Sequence, residues 1–266
     1  MLVMTTPSRV SRTSTSTRAP SITFPERLGA LYDLAQRSDH VFGSPLGPFR
    51  LEGRDYFLPR FVYFGPHTST ESVRLAVFAG FNRHDRVVAH ALLSFIDRLA
   101  RRSDIGQSLN VSFFPVVNVA ALLGGMEERD LADEDWGHPR QPEIALLNQD
   151  ARRCGYQGFI RVVNAVDEEP VARVRLVRST VAQASAIELF SSEDFAGWSV
   201  TFETVDAARV RQGPLSLADD LPFPPFEVEL ALPADWSPCA TEQALEPLLK
   251  RLIVRYRSFL AYGQHL

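Results

Sequence analysis

The residues able to do chemistry form a few short constellations. Asn82 and Asp85 stand three apart, directly after the apolar run VRLAVFAG and before an amphipathic stretch. At that spacing an asparagine N-cap and an acid three positions later satisfy free N–H groups at a helix start and complement its dipole. Glu227 and Glu229 alternate with Phe226, Val228 and Leu230, so in a strand both carboxylates share one face. Arg173, Arg175 and Arg178 are spaced by apolar residues, a pattern that suits an anion site or an exposed sheet edge blunted by charge. The histidines offer less. His84 and His90 point about 240° apart around a helix and cannot share an ion. His138 sits in the irregular run Trp136-Gly137-His138-Pro139, while His40, His67 and His265 have no partner at ligand spacing. Cys154 and Cys239 are too few for a disulfide framework or a cysteine-ligated metal. No Walker loop, G-x-G-x-x-G or G-x-S-x-G occurs, so nucleotide and serine-hydrolase chemistry have no motif behind them.

The elements that must position these residues follow from periodicity. A helix is expected over Pro25–Arg37, with Leu28, Leu31, Leu34 and Ala35 on one side, and a hairpin over Leu46–Gly65 turning at Glu52-Gly53. Val73–Phe78 reads as a buried strand ending at Ala79-Gly80-Phe81, His84–Ala100 as a helix and Val111–Val117 as the next strand. Near-continuous apolar strands around an amphipathic helix indicate a parallel sheet covered on both faces. The polar stretch Gly124–Arg140 is expected above the carboxyl ends of those strands. Pro142-Glu143-Ile144 opens a helix to about Arg153, with Glu143 serving its N-terminus, and Phe159–Val163 is a further strand. Val171–Thr204 mixes a strand, a short helix and an edge strand. Phe226–Leu230 is a strand, and Thr241–Tyr262 a closing helix that buries Leu245, Leu248, Leu249, Leu252, Tyr256 and Phe259.

The chain has 266 residues, 45% hydrophobic and 23% charged, with a net charge of −4, which argues against a nucleic-acid footprint. No apolar run approaches the roughly 18 residues needed to span a bilayer. The first residues lack the apolar core of a signal peptide, so the cytoplasm is the expected compartment. Residues 1–21, rich in Ser, Thr and Arg, read as a disordered arm, and 22–266 as one α/β domain with a mixed, mostly parallel sheet flanked by helices in a three-layer sandwich.

The succession VRLAVFAG, FNRHD, SFFPVVN, a QPE-opened helix, a strand and FEVELALP before a last helix resembles the zinc carboxypeptidase family, in particular its succinylglutamate desuccinylase and aspartoacylase-like branch. The resemblance covers Val73 to Leu266 and is most specific at the glycine-ended strand and at Phe114–Asn118. It implies a zinc hydrolase whose first strand ends in A-G-x-H-G-D-E, the histidine and glutamate binding the metal. Here Asn82 stands at the histidine position and Asp85 at the glutamate position. The third ligand, a histidine ending a later strand, is replaced by Asn164, or by Phe190 if Ile187-Glu188-Leu189 is the matching strand. The family's D-L-N-R element, whose arginine grips a carboxylate, has become Asp130-Leu131-Ala132-Asp133, with Arg129 or Arg140 as stand-ins. Glu229 matches the carboxylate that activates the zinc-bound water.

Four changes in one site imply a protein of this fold without the family's zinc chemistry, free of metal and other cofactors, that binds a small molecule, peptide or protein partner at the former active-site mouth. Neither nucleic acid nor membrane is an expected partner. The alternative is an active metal-dependent hydrolase, of carboxypeptidase or N-acyl amino acid deacylase type, that uses zinc with Asp85 and His84 or His138 as ligands and Glu229 as base. A scaffold role with residues 1–21 as a tether is a third reading.

Overall fold

The computed structural model describes residues 23–67, 72–102, 108–126, 128–165, 171–178, 197–206, 213–214, 217 and 226–263. Helix α1 (Phe24–Ala35) starts at a capping box in which Thr23 and Glu26 bond each other's backbone, with Pro25 in the first turn. The strands are β1 (Val41–Gly43), β2 (Leu46–Leu51), β3 (Arg54–Leu58), β4 (Phe61–Phe64), β5 (Val73–Ala79), β6 (Leu109–Phe114), β7 (Gly158–Ala165), β8 (Ala172–Arg178), β9 (Val200–Asp206) and β10 (Phe226–Pro233). The helices after α1 are α2 (Arg86–Arg101), α3 (Val119–Leu122), α4 (Pro142–Cys154) and α5 (Pro238–Gly263).

Eight strands form one mixed sheet in the order β1-β4-β6-β5-β7-β10-β8-β9. Its centre, β6-β5-β7-β10, is parallel, as the apolar strands around α2 predict. The antiparallel pairs are β1 with β4, β4 with β6, and β10 with β8. On one face α1 lays Tyr32 on Phe61, α2 lays Phe95 on Phe113, and Tyr256 of α5 packs against Gly158. The other face carries Phe78, Phe114 and Phe159, stacked on one another and met edge-on by Trp136 and Tyr156. Asp150 of α4 bonds Tyr156 Oη there at 2.7 Å and also binds Arg60. This is the expected α/β architecture with helices on both faces.

Several expectations need correction. Glu52-Gly53 does turn a hairpin, both residues at positive φ, but only β2 and β3 form it, as a separate two-stranded sheet. The remainder of the expected hairpin, β4, leaves to pair with β6, where Phe61 and Tyr63 become fully buried. The strand over Val111–Val117 begins at Leu109 and stops at Phe114, because Pro115 cannot continue a ladder. The arginine strand is no edge: β8 lies between β10 and β9. Residues 1–21 and Phe190 lie outside the described residues. Among the described residues no helix is long and apolar enough to cross a membrane.

Gly80 ends β5 at φ +75°, and an added Cβ there would meet Leu122 Cδ1 at 2.8 Å, Pro115 O at 3.1 Å and Val116 Cα at 3.2 Å. Gly80→Ala is therefore expected to destabilise the protein by about 2–4 kcal/mol, combining left-handed strain with overpacking. Urea denaturation of the two proteins checks this.

Candidate functional site

The strand ends bring together three residues that the sequence scatters. Asn82 caps the 3₁₀ turn Arg83–Asp85, its Oδ1 accepting from His84 N at 2.8 Å and Asp85 N at 3.2 Å. Asp85 has no solvent exposure. Its Oδ2 accepts from Phe81 N at 3.0 Å and Asn82 N at 3.3 Å, and its Oδ1 from Asn164 N at 2.9 Å. Asn164, near the end of β7, accepts with Oδ1 from Val88 N of α2 at 3.3 Å. Asn82, Asp85 and Asn164 thus form one hydrogen-bonded knot joining β5, α2 and β7. Burial pushes the Asp85 carboxyl up from 3.8 to about 6, against the opposing pull of the three backbone N–H groups and the charge of Arg161.

Glu229 lies on β10 opposite Arg161 of β7 and Arg175 of β8. Its Oε1 accepts from Arg175 Nη1 at 2.9 Å, and Arg175 Nε also reaches Glu203 Oε2 on β9 at 3.3 Å. Glu227, two residues earlier on the same face, is 1% exposed and meets Arg161 Nη1 at 3.4 Å. Arg161 donates through Nη2 to Ala132 O at 3.1 Å and stacks its guanidinium 4.8 Å from the Phe81 ring centroid. The Arg161–Glu227 pair is missing from the sequence reading. An arginine within an apolar strand and a second glutamate at i−2 were the available signals.

Arg129 is already engaged. Its guanidinium forms a two-point pair with Glu143, at 2.6 Å to Oε1 and 3.1 Å to Oε2, and reaches Gln141 Oε1 at 2.6 Å. Glu143 is fully buried, so beyond serving the helix N-terminus it anchors the loop. That loop is pinned further by Asn118 Nδ2 on Phe81 O and Arg129 O, by Leu131 N on Phe81 O, and by Asn148 Nδ2 on Trp136 O at 2.5 Å. Arg140 is exposed, and its backbone N–H donates to Glu134 Oε2 at 3.4 Å. His84 is exposed beside Arg83, and His138 is exposed and bonded to Asp135 at 3.3 Å. Neither histidine joins Asp85 and Glu229 in a ligand set: among the described residues no group of three or more His, Cys, Asp or Glu is arranged to hold a metal ion.

Outside the knot lies an open cleft of about 370 Å³ lined by Asn82, Arg83, His84, Glu128, Arg129 and Asp130. It adjoins a second, of about 580 Å³, that shares Arg83, Glu128 and Arg129 and extends to Glu52, Gly125 and Met126. The mouth is therefore concave, polar and of mixed charge.

By sequence the chain matches no family model and no curated protein. By structure it superposes on a metallo-carboxypeptidase from Burkholderia cenocepacia with a TM-score of 0.70 and 15% identity, covering 88% of this chain and 69% of that one. A metallo-carboxypeptidase from Pseudomonas aeruginosa, solved with (2-guanidinoethylmercapto)succinic acid, gives 0.64 and 17%, covering 86% and 68%. Bovine thrombin-activatable fibrinolysis inhibitor, solved with tick carboxypeptidase inhibitor, gives 0.66 and 13%, covering 91% and 97%. The fold is that of the zinc carboxypeptidases. The residues here do not fit such a metal. Both Asp85 oxygens and both asparagine oxygens are turned onto backbone N–H groups, and asparagine is a weak zinc ligand.

Two expected outcomes follow. Because folding raises the Asp85 pKa, the unfolded chain gives up this proton first, and the group's contribution to stability falls as pH rises from about 4 to 6. The stability difference between wild type and Asp85→Asn should shift in the variant's favour by about 2–3 kcal/mol between pH 4 and pH 7, read by urea denaturation. Arg129→Met strands a buried carboxylate and should cost about 3–5 kcal/mol, while Arg129→Lys recovers part of the loss. Thermal unfolding of both variants checks the ranking.

Proposed function

We propose that this protein is a binding protein on the carboxypeptidase fold, without zinc hydrolase activity, that takes a small molecule or peptide in the cleft between Arg83 and Asp130. One observation carries the reading: at the three positions where the family resemblance calls for metal ligands, every side-chain oxygen is committed to backbone N–H groups inside the protein. A general base without a metal to lower the pKa of water has little to act on. Glu229, the retained carboxylate, is moreover held by Arg175.

The compact desuccinylase and aspartoacylase-like branch is the origin we favour. The segment Phe114–Asn118 supports it, as does the span of 65 residues (229 − 164) between Asn164 and Glu229. Arg129 and Arg140 were the stand-ins for the family's carboxylate-gripping arginine. With Arg129 neutralised by Glu143 and Arg140 exposed outside the cleft lining, the ligand need not carry a terminal carboxylate.

The test is elemental analysis of the purified protein together with hydrolysis assays on N-acyl amino acids and on peptides with free C-termini. Zinc well below one equivalent per chain and turnover no greater than that of Glu229→Gln are expected. One tightly held zinc per chain, with turnover abolished by Glu229→Gln, would overturn the proposal.

A further inference from the structure

The cleft at the mouth carries two charges of opposite sign that do not meet. Arg83 and Glu128 line both of its lobes, the one of about 370 Å³ and the one of about 580 Å³. Among the described residues the Arg83 side chain bonds only its neighbour, donating through Nε to His84 Nε2 at 3.4 Å. Glu128 makes no hydrogen bond or ion pair there. The other charges of the smaller lobe are wholly or partly used: Arg129 is paired with Glu143, and Asp130 accepts with Oδ1 from Ala132 N at 2.8 Å. The two walls are tied to each other through the backbone. Leu131 N donates to Phe81 O at 3.1 Å, and Asn118 Nδ2 to Phe81 O at 3.0 Å and Arg129 O at 2.9 Å. Walls held in this way present both charges to a ligand at little ordering cost.

The rest of the lining sorts by chemistry. His84 accepts at Nε2, which leaves its ring proton on Nδ1 as a donor to add to the Arg83 guanidinium. The larger lobe adds a second acid, Glu52, and the thioether of Met126, which offers apolar surface to methylene groups. A simple anion drawn to Arg83 would face Glu128 and Glu52, and a simple cation drawn to the acids would face Arg83. Either is disfavoured by the charge it does not need, whereas a molecule carrying both charges satisfies the whole lining.

We propose that this cleft takes a linear zwitterion, with an ammonium group at one end, a carboxylate or phosphate at the other and a short aliphatic stem between them. Arg83 and His84 meet the anionic end, Glu128 and Glu52 the ammonium. This rests on the binding role proposed above and names the ligand class for that cleft. It differs from the arrangement implied by the family resemblance, because Arg129 is spent on Glu143 and the ammonium has its own carboxylates.

The experiment titrates the isotope-labelled full chain with γ-aminobutyrate, ε-aminohexanoate, phosphoethanolamine and triglycine, and follows the amide chemical shifts. At least one of these should move the amides of Arg83, His84 and Glu128 saturably, its length reporting the span between the two charges. The same molecule with its amine acetylated, or with its anionic end capped, should bind about tenfold more weakly. Arg83→Gln should weaken the zwitterion about tenfold and leave the anion-capped analogue unaffected. Glu128→Gln should do likewise for the acetylated analogue. Both residues are exposed, so both variants should melt as the wild type does. No saturable shift with any of the four, capped analogues that bind as tightly, or variants that bind the zwitterion unchanged would each overturn the inference. Stoichiometric zinc with turnover dependent on Glu229 would sink the proposed function whatever the titrations show. Capped analogues that bind equally well leave a binding cleft in place and sink the present inference alone.

Discussion

The carboxylate of Asp85 sets the geometry of the strand ends. It is wholly removed from solvent and accepts N–H groups from Phe81 and Asn82 after β5 and from Asn164 at the end of β7. Neighbouring parallel strands hydrogen-bond along their length, but nothing in a ladder fixes what the chain does where the ladder stops. Here the stopping points of β5 and β7 are tied to one side chain. The Asn164 amide oxygen carries the tie to the first turn of α2. The position of Arg83 and His84 on the cleft wall, and so the shape of the mouth, depends on this knot.

A buried acid in that position would be costly on its own. It is tolerated because three N–H dipoles converge on it and because Arg161 lies close enough to be felt. The pattern repeats outward. Glu143 is fully buried against Arg129 and Glu227 almost fully against Arg161, while the partly exposed Glu229 meets Arg175. Each of these acids has a partner from the chain itself. These pairs contribute less to net stability than to placement, since a buried pair roughly offsets its own desolvation while a broken one costs several kcal/mol.

The framework was largely readable from sequence, and the reason is periodicity. Val73–Ala79 and Gly158–Ala165 are apolar enough to be central strands, and Val88, Leu92, Phe95 and Leu99 mark the buried side of α2. The Asn82–Asp85 cap was legible too, because capping is local. The misread parts depend on partners distant in sequence. β4 reads as the second half of a hairpin until β6 is available to pair with it. β8 reads as an edge because its arginines look solvated, yet Arg175 faces Glu229 across 54 residues of sequence and Arg161 faces Glu227 across 66. Single-residue reasoning assigns a charge to the surface by default, and only the paired arrangement reverses that assignment.

The apolar cores of the fold and the polar residues of the mouth are built on different surfaces. Where α1, α2 and α5 meet the sheet, Leu245, Leu248, Leu249 and Leu252 are fully or almost fully buried, and Glu242 of α5 ties Arg27 of α1 to Ser94 of α2. On the opposite face the aromatic cluster of Phe78, Phe114, Phe159 and Trp136 makes a second apolar floor, and the ionic row begins only at its border. Asn82, Asp85 and Asn164 lie at the strand ends, where their side-chain oxygens are satisfied locally by backbone N–H groups. Beside them lies the polar concavity lined by Asn82, Arg83, His84, Glu128, Arg129 and Asp130, whose wall the Asp85 knot holds in place.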